Sequence, residues 1–412
     1  MSTLLVTHIR SLVNTRTEQE LLRGKALSNL PAIDNAFLLI KDGLIESYGP
    51  MEEWKNEHVD QVFDAQDQLV LPAWCDSHTH LIFAATREEE FIDKINGLSY
   101  AEIAAKGGGI LNSARRLNEM PEEELEEQSW NRLVDLIKLG TGAIEIKSGY
   151  GLTTEGELKM LRVIRKLKQR SPIPVRASFL GAHAYPQQYN NDHEGYIKLV
   201  IEEMLPVIAK EGIADYIDVF CEKGFFSNEE TQRIIIAGKK YGLGAKIHAN
   251  QLTASGAVET AVKAGAVSVD HLETMNEAAI IALGESSTIG TLLPGAAFFL
   301  RMKYPPAREL IRANAALALA SDMNPGSCPS GNMNLVVALA CIQCRMLPEE
   351  AINAATINGA WAMGLQHELG SITKGKKANL IFTKPMNSIR SIPYLFGTDP
   401  INKVMINGEF FS

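Results

Sequence analysis

The chain has 412 residues, 46% hydrophobic and 22% charged, with a formal net charge of −9. This is the composition of a globular, enzyme-sized protein, and the acidic balance argues against a nucleic-acid partner, because no basic run is present to neutralise phosphates. No apolar run approaches the ~20 residues of a membrane span, residues 1–10 do not read as a signal peptide, and five cysteines without a scaffold pattern suit a reducing cytoplasm.

Residues 1–69 hold short strand-like pieces broken by turns. In NAFLLIKDGLIESYG the pair Asp42-Gly43 marks a hairpin. From residue 70 to 369 the rhythm changes to apolar strand, loop and amphipathic helix. Eight strands are predicted: LVLPAWCDSH, TGAIEIKSG, IPVRASFLGAH, ADYIDVFCE, LGAKIHAN, AVSVDHLE, TIGTLLPG and AALALASDMN. Between most of them lie helices such as TTEGELKMLRVIRKLKQR, and MPEEELEEQSW starts another with Pro121 in its first turn. This order predicts an α/β fold, a (β/α)8 TIM-like barrel. The competing open doubly wound sheet lacks a glycine-rich nucleotide fingerprint in its first unit. Residues 370–412 return to short strands, with Asn407-Gly408 as a second hairpin signal. The two ends are therefore expected to meet in one small β-sandwich domain, 1–69 plus 370–412, beside the barrel.

Chemistry concentrates where the barrel strands end. His78 and His80 lie two apart, so a strand aims both imidazoles to one side, toward the mouth where barrel enzymes place their sites. Alone the pair is weak. His248 closes the fifth strand, His271 the sixth and Asp322 the eighth. Imidazoles with a carboxylate suit a borderline divalent metal with a water completing the shell; the competing reading is separate polar residues satisfied by nearby backbone. Cys341-x-x-Cys344 reads as packing in a buried helix rather than a metal pair. The Gly107-Gly108-Gly109 run lacks the following Lys-Ser/Thr of a phosphate cradle and is read as a mobile loop over the mouth.

The His-x-His on the first strand, histidines after the fifth and sixth and an aspartate after the eighth resemble the amidohydrolase superfamily. The resemblance implies that His78, His80, His248 and Asp322 ligate the metal, with His271 beside the attacking water. Binuclear members carry a carboxylated lysine after the fourth strand. Here that strand ends in Cys221 and Glu222, and Lys147 ends the second strand instead, which implies a mononuclear site.

A closer resemblance spans nearly the whole chain. FAATREEEF, LSYAEIAAKGGGI, EIKSGYGL, FLGAHAYP and SDMNPGS are similar, in order and spacing, to the imidazolonepropionase family. That resemblance implies a cytoplasmic enzyme of histidine degradation that opens the cyclic amide of 4-imidazolone-5-propanoate to N-formimidoyl-L-glutamate. It implies one divalent metal ion, zinc or iron, a small-molecule substrate and a homodimer. Substrate contacts fall on Arg87, Tyr150, His183, Gln251, Asn324, Gly326 and Ser327, with Tyr100 a further candidate. Asp322 and His271 are the expected catalytic pair. A guanidinium fork suits the propionate, and the NPG turn offers backbone donors and the Asn324 amide. Some family members carry a carboxylate where this chain has Gln251, an amide that cannot exchange protons at neutral pH. The alternatives are another amidohydrolase, such as a purine or cyclic-amide deaminase, which needs no carboxylate clamp, and a non-catalytic scaffold, which would have lost ligands.

Overall fold

The computed structural model describes residues 2–55, 57–98, 102 and 106–412. The chain opens with β1 (Thr3–Val13), β2 (Ala32–Lys41), β3 (Leu44–Pro50), β4 (Gln61–Asp64) and β5 (Leu69–Pro72). Eight strands follow: β6 (Trp74–Thr79), β7 (Thr141–Lys147), β8 (Val175–Ala182), β9 (Tyr216–Cys221), β10 (Gly244–Ala249), β11 (Ser268–His271), β12 (Ile289–Leu292) and β13 (Ala316–Leu319). The chain ends in β14 (Leu380–Thr383), β15 (Ile401–Ile406) and β16 (Glu409–Phe411).

The strands form two sheets. β6 to β13 pair in sequence order, all parallel, as a (β/α)8 barrel requires. The terminal strands build one mixed sheet in the order β16-β15-β14-β5-β1-β2-β3, with β4 also on β1. Both predicted hairpins form. Asp42 and Gly43 have φ 50° and 81°, and Asn407 and Gly408 the same values, the paired positive φ that a tight hairpin turn demands. Val6, Ile9, Leu38, Ile40, Phe382 and Met405 make the core of this sheet.

The predicted first barrel strand, residues 69–78, is two strands. Pro72 has no N–H to continue a ladder. At Ala73 the backbone changes partners: Ala73 N donates to Asn379 O at 2.9 Å, and Trp74 N donates to Gly140 O at 2.9 Å. The apolar run thus feeds the terminal sheet first and the barrel second. Periodicity alone does not show such a change of sheet.

The barrel closes through the segment that follows β13. Asp322 N donates to His78 O at 3.0 Å and His80 N donates to Met323 O at 2.8 Å. Helices pack outside on their apolar stripes. Thr153 caps the helix Thr154–Arg170, accepting from Gly156 N at 3.0 Å, and Leu158, Leu161 and Ile164 turn inward. Among the described residues no helix is long and apolar enough to cross a membrane. All five cysteines are free; of the pair expected to pack in one buried helix, Cys341 lies in the helix Met333–Ile342 and is half-buried, while Cys344 is buried just beyond its end.

Candidate active site

The C-terminal ends of the barrel strands bring the predicted histidines and aspartate together. His78 is fully buried at the end of β6, and His80, His248, His271 and Asp322 are each no more than 3% exposed. His78 Nε2 lies 3.4 Å from Asp322 Oδ1, His80 Nε2 3.6 Å from the same oxygen, and His248 Nε2 3.4 Å from His80 Nε2. Bond lengths of about 2.0–2.2 Å to one tetrahedral ion place neighbouring donors about 3.3–3.6 Å apart. The observed spacings match. His78 Nε2 is buried without a hydrogen-bond partner, which is costly unless a cation faces it. Two groups of donor atoms, His78 with His248 and His271, and His78 with His80 and Asp322, each fall within 4.8 Å. This donor set fits a divalent metal.

Electrostatics agree with that fit. Burial, reinforced by neighbouring cationic groups, holds His78 and His80 well below the usual imidazole pKa, leaving the neutral form that binds metals. Burial also pushes Asp322 up to about 6, a shift that a bound cation reverses. Burial works against the His271 imidazolium, but Glu273 outweighs it and the pKa rises to about 9.

Each of three imidazoles is backed by a carboxylate that the sequence reading did not single out. Asp270 Oδ2 is 2.6 Å from His78 Nδ1, Asp218 Oδ1 is 3.1 Å from His248 Nδ1, and Glu273 Oε1 is 3.3 Å from His271 Nδ1. A carboxylate accepts only, so each pair places the proton on Nδ1 and turns Nε2 toward the centre. A further carboxylate, Asp76, accepts from Ser321 N at 2.9 Å and from Ser321 Oγ at 2.6 Å, anchoring the residue before Asp322. For Asp76, Asp218 and Asp270 the sequence did hold a signal, a carboxylate set inside a buried strand, as in WCDSHT, YIDVFC and SVDH; Glu273, in the loop after β11, carried none.

The backbone here is unusual. Asn250, His271, Leu272 and Asp322 have φ of 55°, 88°, 70° and 55°. Non-glycine residues in this region cost about 1–3 kcal/mol each and cluster at functional sites.

A cavity of about 60 Å³ opens over these groups, lined among others by Tyr150, His183, Gln251, Asn324 and Ser327. His183 Nδ1 donates to Gly149 O at 2.9 Å, so its Nε2 is the acceptor face. Burial lowers its pKa to about 3. Arg87 stands beside the cavity, its guanidinium 5.9 Å from the Tyr150 ring and its Nε donating to Ser113 Oγ at 2.9 Å. Gly326 fits against it, since a Cβ there would lie 2.5 Å from Arg87 Nη1. The NPG turn is internally bonded: Gly326 N and Ser327 N both donate to Asn324 Oδ1, at 2.8 and 2.7 Å, and Asn324 Nδ2 donates to Asp322 O and Ser327 Oγ. Those donors, expected to face a ligand, here hold the turn in shape beneath the cavity. Glu222 accepts from Leu252 N at 2.9 Å and binds Thr253 and Lys223, bracing a loop. In the Gly107–Gly109 run, Gly109 N donates to Glu90 Oε1 at 2.9 Å. Tyr100 lies outside the described residues.

Residues 69–411 match the amidohydrolase family. The imidazolonepropionase of Flavobacterium johnsoniae is 56% identical over 98% of this chain and 99% of that relative. That of Geobacillus thermodenitrificans is 41% identical over 93% and 91%. Among solved structures, Escherichia coli guanine deaminase superposes with a TM-score of 0.76 at 15% identity, over 100% of this chain and 99% of that one. An adenosine deaminase from Xanthomonas campestris with bound zinc gives 0.73 at 15%, over 99% and 92%; at such identity these two speak for the fold alone. The chain belongs to the amidohydrolase family and, within it, to the imidazolonepropionases.

Proposed function

We infer that the chain hydrolyses the cyclic amide bond of 4-imidazolone-5-propanoate to N-formimidoyl-L-glutamate, a step of histidine degradation. The single observation that carries the chemistry is that His78, His80, His248 and Asp322 are linked by donor-atom separations of 3.4, 3.6 and 3.4 Å at one buried place beside an arginine. We assign the metal to His78, His80, His248 and Asp322 as one ion, zinc or iron, both of which accept nitrogen and oxygen donors. Bound there, a divalent ion lowers the pKa of water toward ~7 and polarises a carbonyl.

The positions of the side chains support the remaining roles. Asp322 Oδ1 faces the imidazoles, which leaves Oδ2, 3.4 Å from Ser327 Oγ, to take a proton from the attacking water. His271, backed by Glu273, donates to the developing oxyanion. Hydroxide adds to the ring carbonyl carbon, the bond from that carbon to the ring nitrogen breaks, and the nitrogen receives the proton held by Asp322. Arg87 binds the propionate through its Nη atoms. Tyr150, His183 and Gln251 orient the ring, and Asn324, Gly326 and Ser327 shape the floor beneath it. A purine deaminase has no use for Arg87.

Five free cysteines, four of them buried, support a cytoplasmic setting. The exposed side chains of Tyr394, Leu395 and Phe396, with Ile342 lining the same groove as Tyr394, support a homodimer. The test of the activity is incubation with imidazolonepropionate, following loss of its ultraviolet absorbance with and without a chelator. Turnover that the chelator abolishes supports the assignment, and no turnover by metal-replete protein overturns it.

A further inference from the structure

Beneath the mouth, inside the barrel, lies a layer of charged side chains that the reaction above does not use. Lys147 ends β7 and is fully buried. Its Nζ is 2.6 Å from Glu145 Oε1, 2.7 Å from Asp218 Oδ2 and 3.7 Å from Asp270 Oδ2. Asp218 and Asp270 are the two carboxylates that back His248 and His78. Asp218 divides its oxygens: Oδ2 lies at ion-pair distance from the ammonium, without hydrogen-bond alignment, and Oδ1 faces the imidazole. One cation therefore stands at ion-pair distance from the supports of two metal-facing histidines that come from opposite parts of the barrel, β6 and β10. Lys246, the other buried ammonium of the layer, is bonded to Glu145 and to Ser77 O.

An ion pair buried this deeply is poor evidence for stability, because removing two charges from water costs about as much as their attraction returns. Orientation is its better-attested use. A carboxylate free to rotate would offer its imidazole either oxygen or none, and the tautomer would no longer be fixed.

We propose that Lys147 is a positioning residue of the metal centre: its ammonium clamps Asp218 and Asp270 together, fixing His78 and His248 with both Nε2 lone pairs aimed at one point before any metal arrives. The inference rests on the metal site proposed above. It assigns Lys147 a role through other residues, since Nζ contacts none of the four ligands' metal-facing atoms in the bonds described.

The test uses the full chain, with zinc and cobalt as the probes. Wild type is first titrated against a chromophoric chelator; failure to bind either ion overturns the site and this inference together. Lys147→Met is expected to bind zinc ~10–100-fold more weakly and to alter the visible spectrum of the cobalt-loaded protein. Lys147→Arg, which keeps the cation, is expected to recover part of both. In the Asp218→Asn background, Lys147→Met is expected to add less than it does alone. A folded Lys147→Met that binds zinc like wild type, with an unchanged cobalt spectrum, overturns the inference while leaving the site intact. Should Lys147→Met not fold, nitrogen-15 spectra of metal-stripped wild type decide: His78 and His248 each held as the single Nδ1–H tautomer support the clamp, and tautomer averaging at either overturns it.

Discussion

Replacing Arg87 by Met removes the guanidinium that stands beside the cavity, 5.9 Å from the Tyr150 ring. Its side chain is 12% exposed, so an ion pair formed there is only weakly screened by solvent. Nε is occupied by Ser113 Oγ; the Nη groups, with Glu90 Oε2 3.9 Å from Nη1 at the far edge of ion-pair range, are the ones that can grip a carboxylate. Hydrogen bonds to charged partners contribute about 1.5–3 kcal/mol each. Two such bonds, not fully additive, put the loss at about 2–4 kcal/mol, or ~30–900-fold in kcat/KM. The propionate is remote from the bond that breaks, so most of the loss belongs in KM. The assay compares the natural substrate with its propionamide analogue on wild type and on Arg87→Met. Wild type is expected to lose most of its advantage on the amide, and Arg87→Met to treat the two alike. If Arg87→Met lowers turnover of acid and amide by the same factor, the carboxylate-clamp argument is refuted.

Three further outcomes are expected. Asp322→Asn should lower kcat ~10²–10⁴-fold and reduce bound metal measured by elemental analysis; near-normal turnover with full metal would refute the proton-acceptor role. Gly359→Ala sets a Cβ 2.3 Å from Cys75 O and 3.0 Å from Cys75 Cβ, so overpacking should cost about 1–3 kcal/mol in denaturant unfolding, and an unchanged midpoint would refute it. Lys376, 1% exposed, has its pKa lowered by burial to about 8 from 10.5. Between those values the unfolded chain holds the proton that the folded chain has lost, so this group's contribution to stability rises with pH, by at most on the order of 3 kcal/mol. The unfolding free energy of wild type relative to Lys376→Met should therefore increase from pH 7 to pH 10, and a constant difference would refute the shift.

Much was legible in the sequence because barrel strands repeat a simple pattern: an apolar run, then a polar residue where the backbone leaves the sheet. That placed His78, His80, His248, His271 and Asp322 at strand ends, and the turn dipeptides Asp42-Gly43 and Asn407-Gly408 predicted both hairpins, since each states a local backbone preference. What the sequence did not show is non-local. The exchange of sheets at Ala73 depends on Asn379 and Gly140, far away in the chain. The bond from Asp322 N to His78 O that sets the eighth-strand carboxylate over the first-strand imidazoles exists only once the barrel closes. Asp218, Asp270 and Glu273 look like unrelated acids along the chain. Asp218 and Asp270 become supports of one centre because parallel strands in register bring alternate side chains to the same level inside the barrel, and Glu273 joins them from the loop after β11; each is a buried carboxylate that must find a donor. Sequence thus determined which groups are available for the chemistry, and tertiary structure decided which atom of each one faces it.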